Sequence, residues 1–168
     1  MTSTFRPLLI GLTVALGVTA AHADSAAAAR RAIQADYSGS NAAATRRDAA
    51  GTLARFTPDA VSVDTKGHAT PIAQQQQTVT RLFAAARSVT ARTTIQTFSL
   101  DRPTQATVTV REHTALALVN PQTQQPVRLV VDDTARDLWI KTAQGWREKR
   151  SQDLTYNSTL NGQPLPVP

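Results

Sequence analysis

No cysteine occurs in the 168 residues, so the chain can form neither a disulfide framework nor thiolate-bound zinc, and a thiol nucleophile is excluded. Histidine is nearly as scarce. His22, His68 and His113 are the only imidazoles, and no two of them stand at the spacing of a metal-binding pair, so neither a metal nor a cofactor is expected. No glycine-rich phosphate loop is present, and no G-x-S-x-G elbow presents a serine nucleophile. Aromatic residues make up 5% of the chain, too few to line an extended base-stacking surface. Long apolar runs are missing as well: the longest, Leu8 to Ala21, is interrupted by Gly11, Thr13, Gly17 and Thr19 and falls short of the roughly 20 residues of a membrane span.

That run instead reads as a secretory leader. Arg6 precedes it and Ala21-His22-Ala23 ends it with a small-residue cleavage pattern, so residues 1–23 are expected to be removed. The remaining 145 residues are the size of one domain, expected over 24–159 with an irregular tail over 160–168. The chain is expected to be periplasmic or secreted, with no membrane contact after cleavage. Its full-length net charge is +6, and 15 of its 18 basic residues are arginine. These are scattered along the sequence, and the nearest approaches to a basic run are Arg30-Arg31 and Arg46-Arg47, so no nucleic-acid partner is expected.

The front half is helix-prone. Ser25 to Ala44 is alanine-rich; Asp48 can cap a second helix reaching Phe56, which Pro58 stops; a third starts near Pro71 and runs to about Arg87. Ala60 to Asp64 reads as a short strand followed by a turn at Gly67. Beyond Val89 the pattern has period two, with strands near 90–100, 106–119, 127–141 and 146–156. The last two flank Thr142-Ala143-Gln144-Gly145 as a hairpin with a tryptophan on each side. Helices followed by long sequential strands predict an α+β fold: a curved antiparallel sheet packed on three N-terminal helices, a cone-shaped roll.

The order of these pieces resembles the nuclear transport factor 2-like superfamily, in the group with polyketide-cyclase-like and ketosteroid-isomerase-like domains. The features are an opening helix, Asp48 to Phe56 followed by Thr57-Pro58-Asp59-Ala60, Asp64 with Gly67, and the closing hairpin Asp137-Leu138-Trp139-Ile140-Lys141 to Gly145-Trp146-Arg147. The resemblance implies a conical pocket for a small hydrophobic molecule and a homodimer formed through the outer sheet face. It also implies candidate catalytic residues for an isomerase or cyclase that moves a proton beside a carbonyl: Asp64 as base, with Tyr37 and a protonated Asp137 as oxyanion donors. Tyr37 lies about three residues farther from Asp48 than the isomerase pattern has it, which would turn the side chain by roughly 60°.

Leu82, Phe83, Phe98, Trp139 and Trp146 are the expected apolar ligand contacts. Strand parity adds Glu112, which alternates with Val108, Val110, Thr114 and Leu116 and therefore faces the pocket unless a bulge reverses the register. Parity also puts Arg111 and His113 on the other face. A scytalone-dehydratase-like reaction would need paired pocket histidines, and an epoxide-hydrolase-like relay would need Arg111 beside Asp64 and Asp137. A third reading, from another class, is a protein-interaction or dimerisation module using an apolar outer sheet face.

Overall fold

The computed structural model describes residues 15–120 and 122–166; most of the expected leader lies outside them. Helix α1 (Ala15–Thr45) is described from Ala15, and its buried residues Ala29, Ile33, Tyr37, Ser40 and Ala44 recur every three or four positions, so one stripe of the helix faces the sheet. The short α2 (Ala49–Leu53) starts at Asp48, whose carboxylate accepts the Gly51 N–H at 2.9 Å. It ends earlier than its sequence pattern suggests, because Phe56 already belongs to strand β1 (Phe56–Val63). Pro58 sits inside that strand where the pairing register shifts between Phe56 and Val61, so its missing N–H breaks no regular ladder. Strand β2 (Ala69–Pro71) leads into α3 (Ile72–Ala85).

Four long strands follow, β3 (Ser88–Arg102), β4 (Gln105–Val119), β5 (Pro126–Thr142) and β6 (Gly145–Leu160), each hydrogen-bonded antiparallel to the next. The sheet order is β2-β1-β6-β5-β4-β3. One expectation changes here: β1 pairs with β6 in parallel, so the sheet is mixed rather than wholly antiparallel. The tail also differs. Asn161 and Gly162, with φ of 51° and 81°, reverse the chain so that β7 (Gln163–Pro164) pairs with β6. An Asn-Gly pair suits two successive positive φ angles, which is why the segment turns back instead of trailing away.

Register shifts in β3 between Ile95 and Thr97, and in the β5–β6 pair beside Ala135 and Trp139, bend the sheet around the helices. β4 and β5 pair without a shift from Gln105 to Val119, so Glu112 keeps the inward parity of Val108 and Val110. Two apolar clusters fill the concave side. One joins Ile33 and Tyr37 of α1 to Val108, Val110, Trp139 and Trp146; the other joins Ala44 to Phe83, Val89 and Leu116.

The β5–β6 turn depends on Gly145, whose φ is 102°, with the Thr142 hydroxyl donating to its carbonyl at 3.0 Å. A β-branched residue is strained at that angle. Gly145→Val is expected to lower stability by about 1–3 kcal/mol in urea denaturation while leaving the far-ultraviolet spectrum unchanged.

Candidate functional site

The second apolar cluster does not close completely. Between α1, α2, α3 and the concave side of β3 to β6 lies a cavity of about 300 Å³, at the small end of the range for small-molecule sites. Its walls include Ala44, Leu53, Val79, Leu82, Phe83, Leu116, Leu129 and Val131; its polar lining includes Ser40, Asn41, Arg55, Thr93, Glu112 and Tyr156. Every one of the long strands and helices contributes, so the hollow is a product of the whole fold.

Arg55 organises the polar lining. Its Nε donates to Glu148 Oε2 at 2.7 Å and Nη1 donates to Ser40 Oγ at 2.7 Å, while Nη2 stands 3.6 Å from Glu112 Oε1. The guanidinium also lies over the Phe56 ring, 4.7 Å from its centroid. Burial alone would pull the Arg55 pKa down, but Glu148 and Glu112 more than offset this and hold it above its ordinary value. Glu148 has no solvent exposure, and its Oε1 has no hydrogen-bond partner among the described residues. Desolvation pushes its pKa well up, reinforced by Asp137 and opposed by Arg55.

Tyr37 and Asp137 do meet. The Tyr37 hydroxyl donates to Asp137 Oδ2 at 2.5 Å, Ser151 Oγ donates to Asp137 Oδ1 at 2.7 Å, and Trp139 Nε1 donates to the Tyr37 oxygen at 3.0 Å. The Trp139 and Tyr37 rings pack edge to face with centroids 5.1 Å apart. Tyr37 is 0% and Asp137 1% exposed, and neither lines the cavity. Burial, then the neighbouring Asp137 and Glu148 charges, raise the Tyr37 pKa. Asp137 is pushed up to about 6, chiefly by burial and by Glu112, against the lowering effect of its hydrogen bonds.

Asp64 stands apart from that pair. It closes its own loop, accepting the Lys66 and His68 N–H groups at 2.8 and 2.9 Å, with His68 Nδ1 also 2.9 Å from Oδ2. Those bonds hold its pKa below the ordinary value, the reverse of what a base for carbon acids requires. It lines a neighbouring hollow with Asp153, and that hollow shares Gln75, Val79 and Tyr156 with the main cavity. Of the expected ligand contacts, Leu82, Phe83 and Glu112 line the cavity. Phe98, Trp139 and Trp146 belong instead to the first apolar cluster, because the β-strand ends that carry them are covered by the Ile33–Tyr37 part of α1. Arg111 is exposed on the convex face and His113 pairs there with Asp132 at 2.9 Å, so neither the arginine relay nor a histidine pair assembles in the pocket.

Sequence reasoning missed Arg55, Glu148 and Asp133. Period-two alternation from Trp146 could have placed Glu148 inward; nothing local marks Arg55 as a hub. Asp133 faces Glu112 across β4 and β5, and its Oδ1 is buried without a partner among the described residues. Burial, then Glu112, Asp153 and Asp137, raise it to about 8, and burial with Glu112 raises Asp153 to about 6.

Two measurements check these electrostatics. Arg55→Met is expected to cost about 3–5 kcal/mol in urea denaturation, since Glu148 is left buried and unpaired; adding Glu148→Met should restore most of the loss. Asp133, Asp137 and Asp153 bind protons more tightly in the native state than an unfolded aspartate with a pKa of 3.8. Their stabilising contribution is therefore complete below that value and fades as pH rises through about 6 for Asp137 and Asp153 and about 8 for Asp133. Unfolding free energies measured from pH 4 to 9 should show this decline, and Asp133→Asn should flatten its upper part.

No protein-family model matches the chain, and no curated protein matches it in sequence. Solved structures do match it in shape. A scytalone dehydratase-like protein from Novosphingobium aromaticivorans superposes with a TM-score of 0.71 at 16% identity, covering 87% of this chain and 93% of that one. A ketosteroid isomerase-like protein from Erwinia carotovora atroseptica gives 0.51 at 19% identity over 74% and 95% of the two chains. An NTF-2-like protein from Shewanella oneidensis gives 0.57 at 12% identity over 74% and 97%. With the helices and curved mixed sheet described above, these similarities show that the chain has the nuclear transport factor 2-like fold.

Proposed function

We propose that this chain binds a small, mostly apolar molecule in the conical cavity, with the ligand's polar end donating hydrogen bonds to Glu112. The observation that carries this reading is the cavity itself: about 300 Å³ of space walled by Leu53, Val79, Leu82, Leu116, Leu129 and Val131, with a polar patch at one side. The charge of that patch selects the ligand's polar end. Arg55, its deepest cation, is already engaged by Glu148 and Glu112, so little of its field remains for an anion. The Glu112 side chain keeps 26% of its surface exposed, and one carboxylate oxygen, Oε1, faces Arg55 and Thr93. A hydroxyl or amine fits there better than a carboxylate. The ligand-processing names carried by several proteins of this fold support a pocket function, and the leader pattern supports export.

The buried Tyr37–Asp137 pair acts in this reading as a fixed polar strut between α1 and β5. A proton-transfer enzyme would need Asp64 to reach the same ligand.

The neutral fluorescent amine 1-aminoanthracene and the anion anthracene-9-carboxylate serve as probes. The amine should bind, with enhanced emission, at least tenfold tighter than the anion. Leu82→Trp, which fills the cavity, should abolish amine binding without changing the thermal midpoint by more than a few degrees. Asp64→Asn should leave amine affinity within twofold. Equal amine binding by the wild-type protein and Leu82→Trp would remove the cavity reading.

A further inference from the structure

Four of the arginines that look scattered in sequence are aligned in space. In the sheet register, Arg92 of β3 stands opposite His113, while Arg111 of β4 stands opposite Thr94, two residues farther along β3. Arg136 of β5 stands opposite Thr109, two residues beyond the partner of Arg111, and Arg150 of β6 stands opposite Leu138, two residues beyond Arg136. Each arginine is thus the diagonal neighbour of the last. All four are exposed and share the parity that points away from the helices. With diagonal neighbours about 7–8 Å apart, they form a stripe roughly 20–25 Å long across four strands.

The stripe is unusual in what surrounds it. None of the four arginines makes a hydrogen bond or ion pair with another described side chain, although arginine readily forms bidentate pairs. Beside them stand Thr94, Thr109, Thr134 and Gln152, and one acid, Asp132, which shares a hollow with Arg92 and Arg111, pairs with His113. Four cations on one line with one carboxylate beside them repel one another, and a linear polyanion would relieve that repulsion.

We propose that the convex face of the sheet binds a linear acidic polysaccharide along the diagonal of Arg92, Arg111, Arg136 and Arg150. The guanidinium forks suit successive carboxylate or sulfate groups, and the threonine hydroxyls and Gln152 amide between them suit sugar hydroxyls. Single-stranded nucleic acid fits less well, because the described aromatic residues lie in the apolar clusters or the cavity wall and leave no stacking platform on this face. A lipid surface lacks an aromatic anchor here for the same reason. A second copy of the chain would bring a like-charged stripe against this one.

The test uses the full folded chain and polygalacturonate, with neutral dextran, oligothymidylate and duplex DNA as comparators, in titrations at low and moderate salt. Polygalacturonate should bind tighter than either nucleic acid, dextran should not bind, and added salt should weaken the complex. Arg111→Ser with Arg136→Ser should weaken polygalacturonate binding roughly tenfold, as two exposed ion pairs would. Arg30→Ser with Arg31→Ser removes the same net charge from exposed positions on α1 and should change it less than twofold. Both variants should keep the 1-aminoanthracene affinity, which separates this surface from the cavity. Equal weakening in the two variants would mean that net charge alone acts; that result, tighter binding of nucleic acid, or no polygalacturonate binding would each overturn the proposal.

Discussion

The contact on which the concave side depends is the one between Arg55 and Glu148. A carboxylate with no solvent exposure is costly unless a cation or hydrogen-bond donors meet it, and for Glu148 the 2.7 Å bond from Arg55 does so. Because Arg55 also holds Ser40 of α1 and approaches Glu112 of β4, a single guanidinium ties the first helix, the start of β1, and strands β4 and β6 into one polar knot. The apolar walls of the cavity can stay open beside it because the knot, rather than side-chain filling, fixes their separation.

The knot also explains the division between the two ends of the concave face. Toward Trp139 and Trp146 the side chains interlock completely, with Tyr37 and Asp137 satisfying each other inside an apolar cluster. Toward Leu82 and Leu116 they do not interlock, and the hollow remains. The fold therefore carries a packed half and a hollow half. The carboxyl groups gathered along the boundary, Glu112, Asp133, Asp137 and Glu148, outnumber Arg55, the one deep cation among the described residues there, and burial with neighbouring negative charge raises the pKa values of Asp133, Asp137 and Glu148.

Much of this architecture was legible in the residues. Period two from Val89 onward located the four long strands, Asp48 marked a helix start, and parity put Glu112 inward and Arg111 outward. The parallel β1–β6 pairing was not legible, since strand order depends on contacts between segments far apart in the chain. The Asn161-Gly162 turn does carry a local mark, the Asn-Gly pair, within a segment whose prolines otherwise suggest an irregular tail. Within the site, parity correctly grouped Asp137 with Trp139 but could not tell a sealed core from an open cavity. That distinction depends on how far α1 covers each strand, and helix placement leaves no local mark in a strand's own sequence. The arginine diagonal was hidden for a related reason: its members are separated along the chain by whole strands and meet only through register.

Arg55 and Glu148 are 93 residues apart in the chain, and among the described residues β1 has only the three-residue β2 and the late-arriving β6 as strand partners. A nascent polypeptide cannot complete this sheet from its front half. The first strand must wait, with its edge unsatisfied, until nearly the whole chain has emerged, so assembly is governed by long-range closure and should be slow relative to a helical protein of the same length. The last long strand to be synthesised, β6, is therefore the one that locks the first into place.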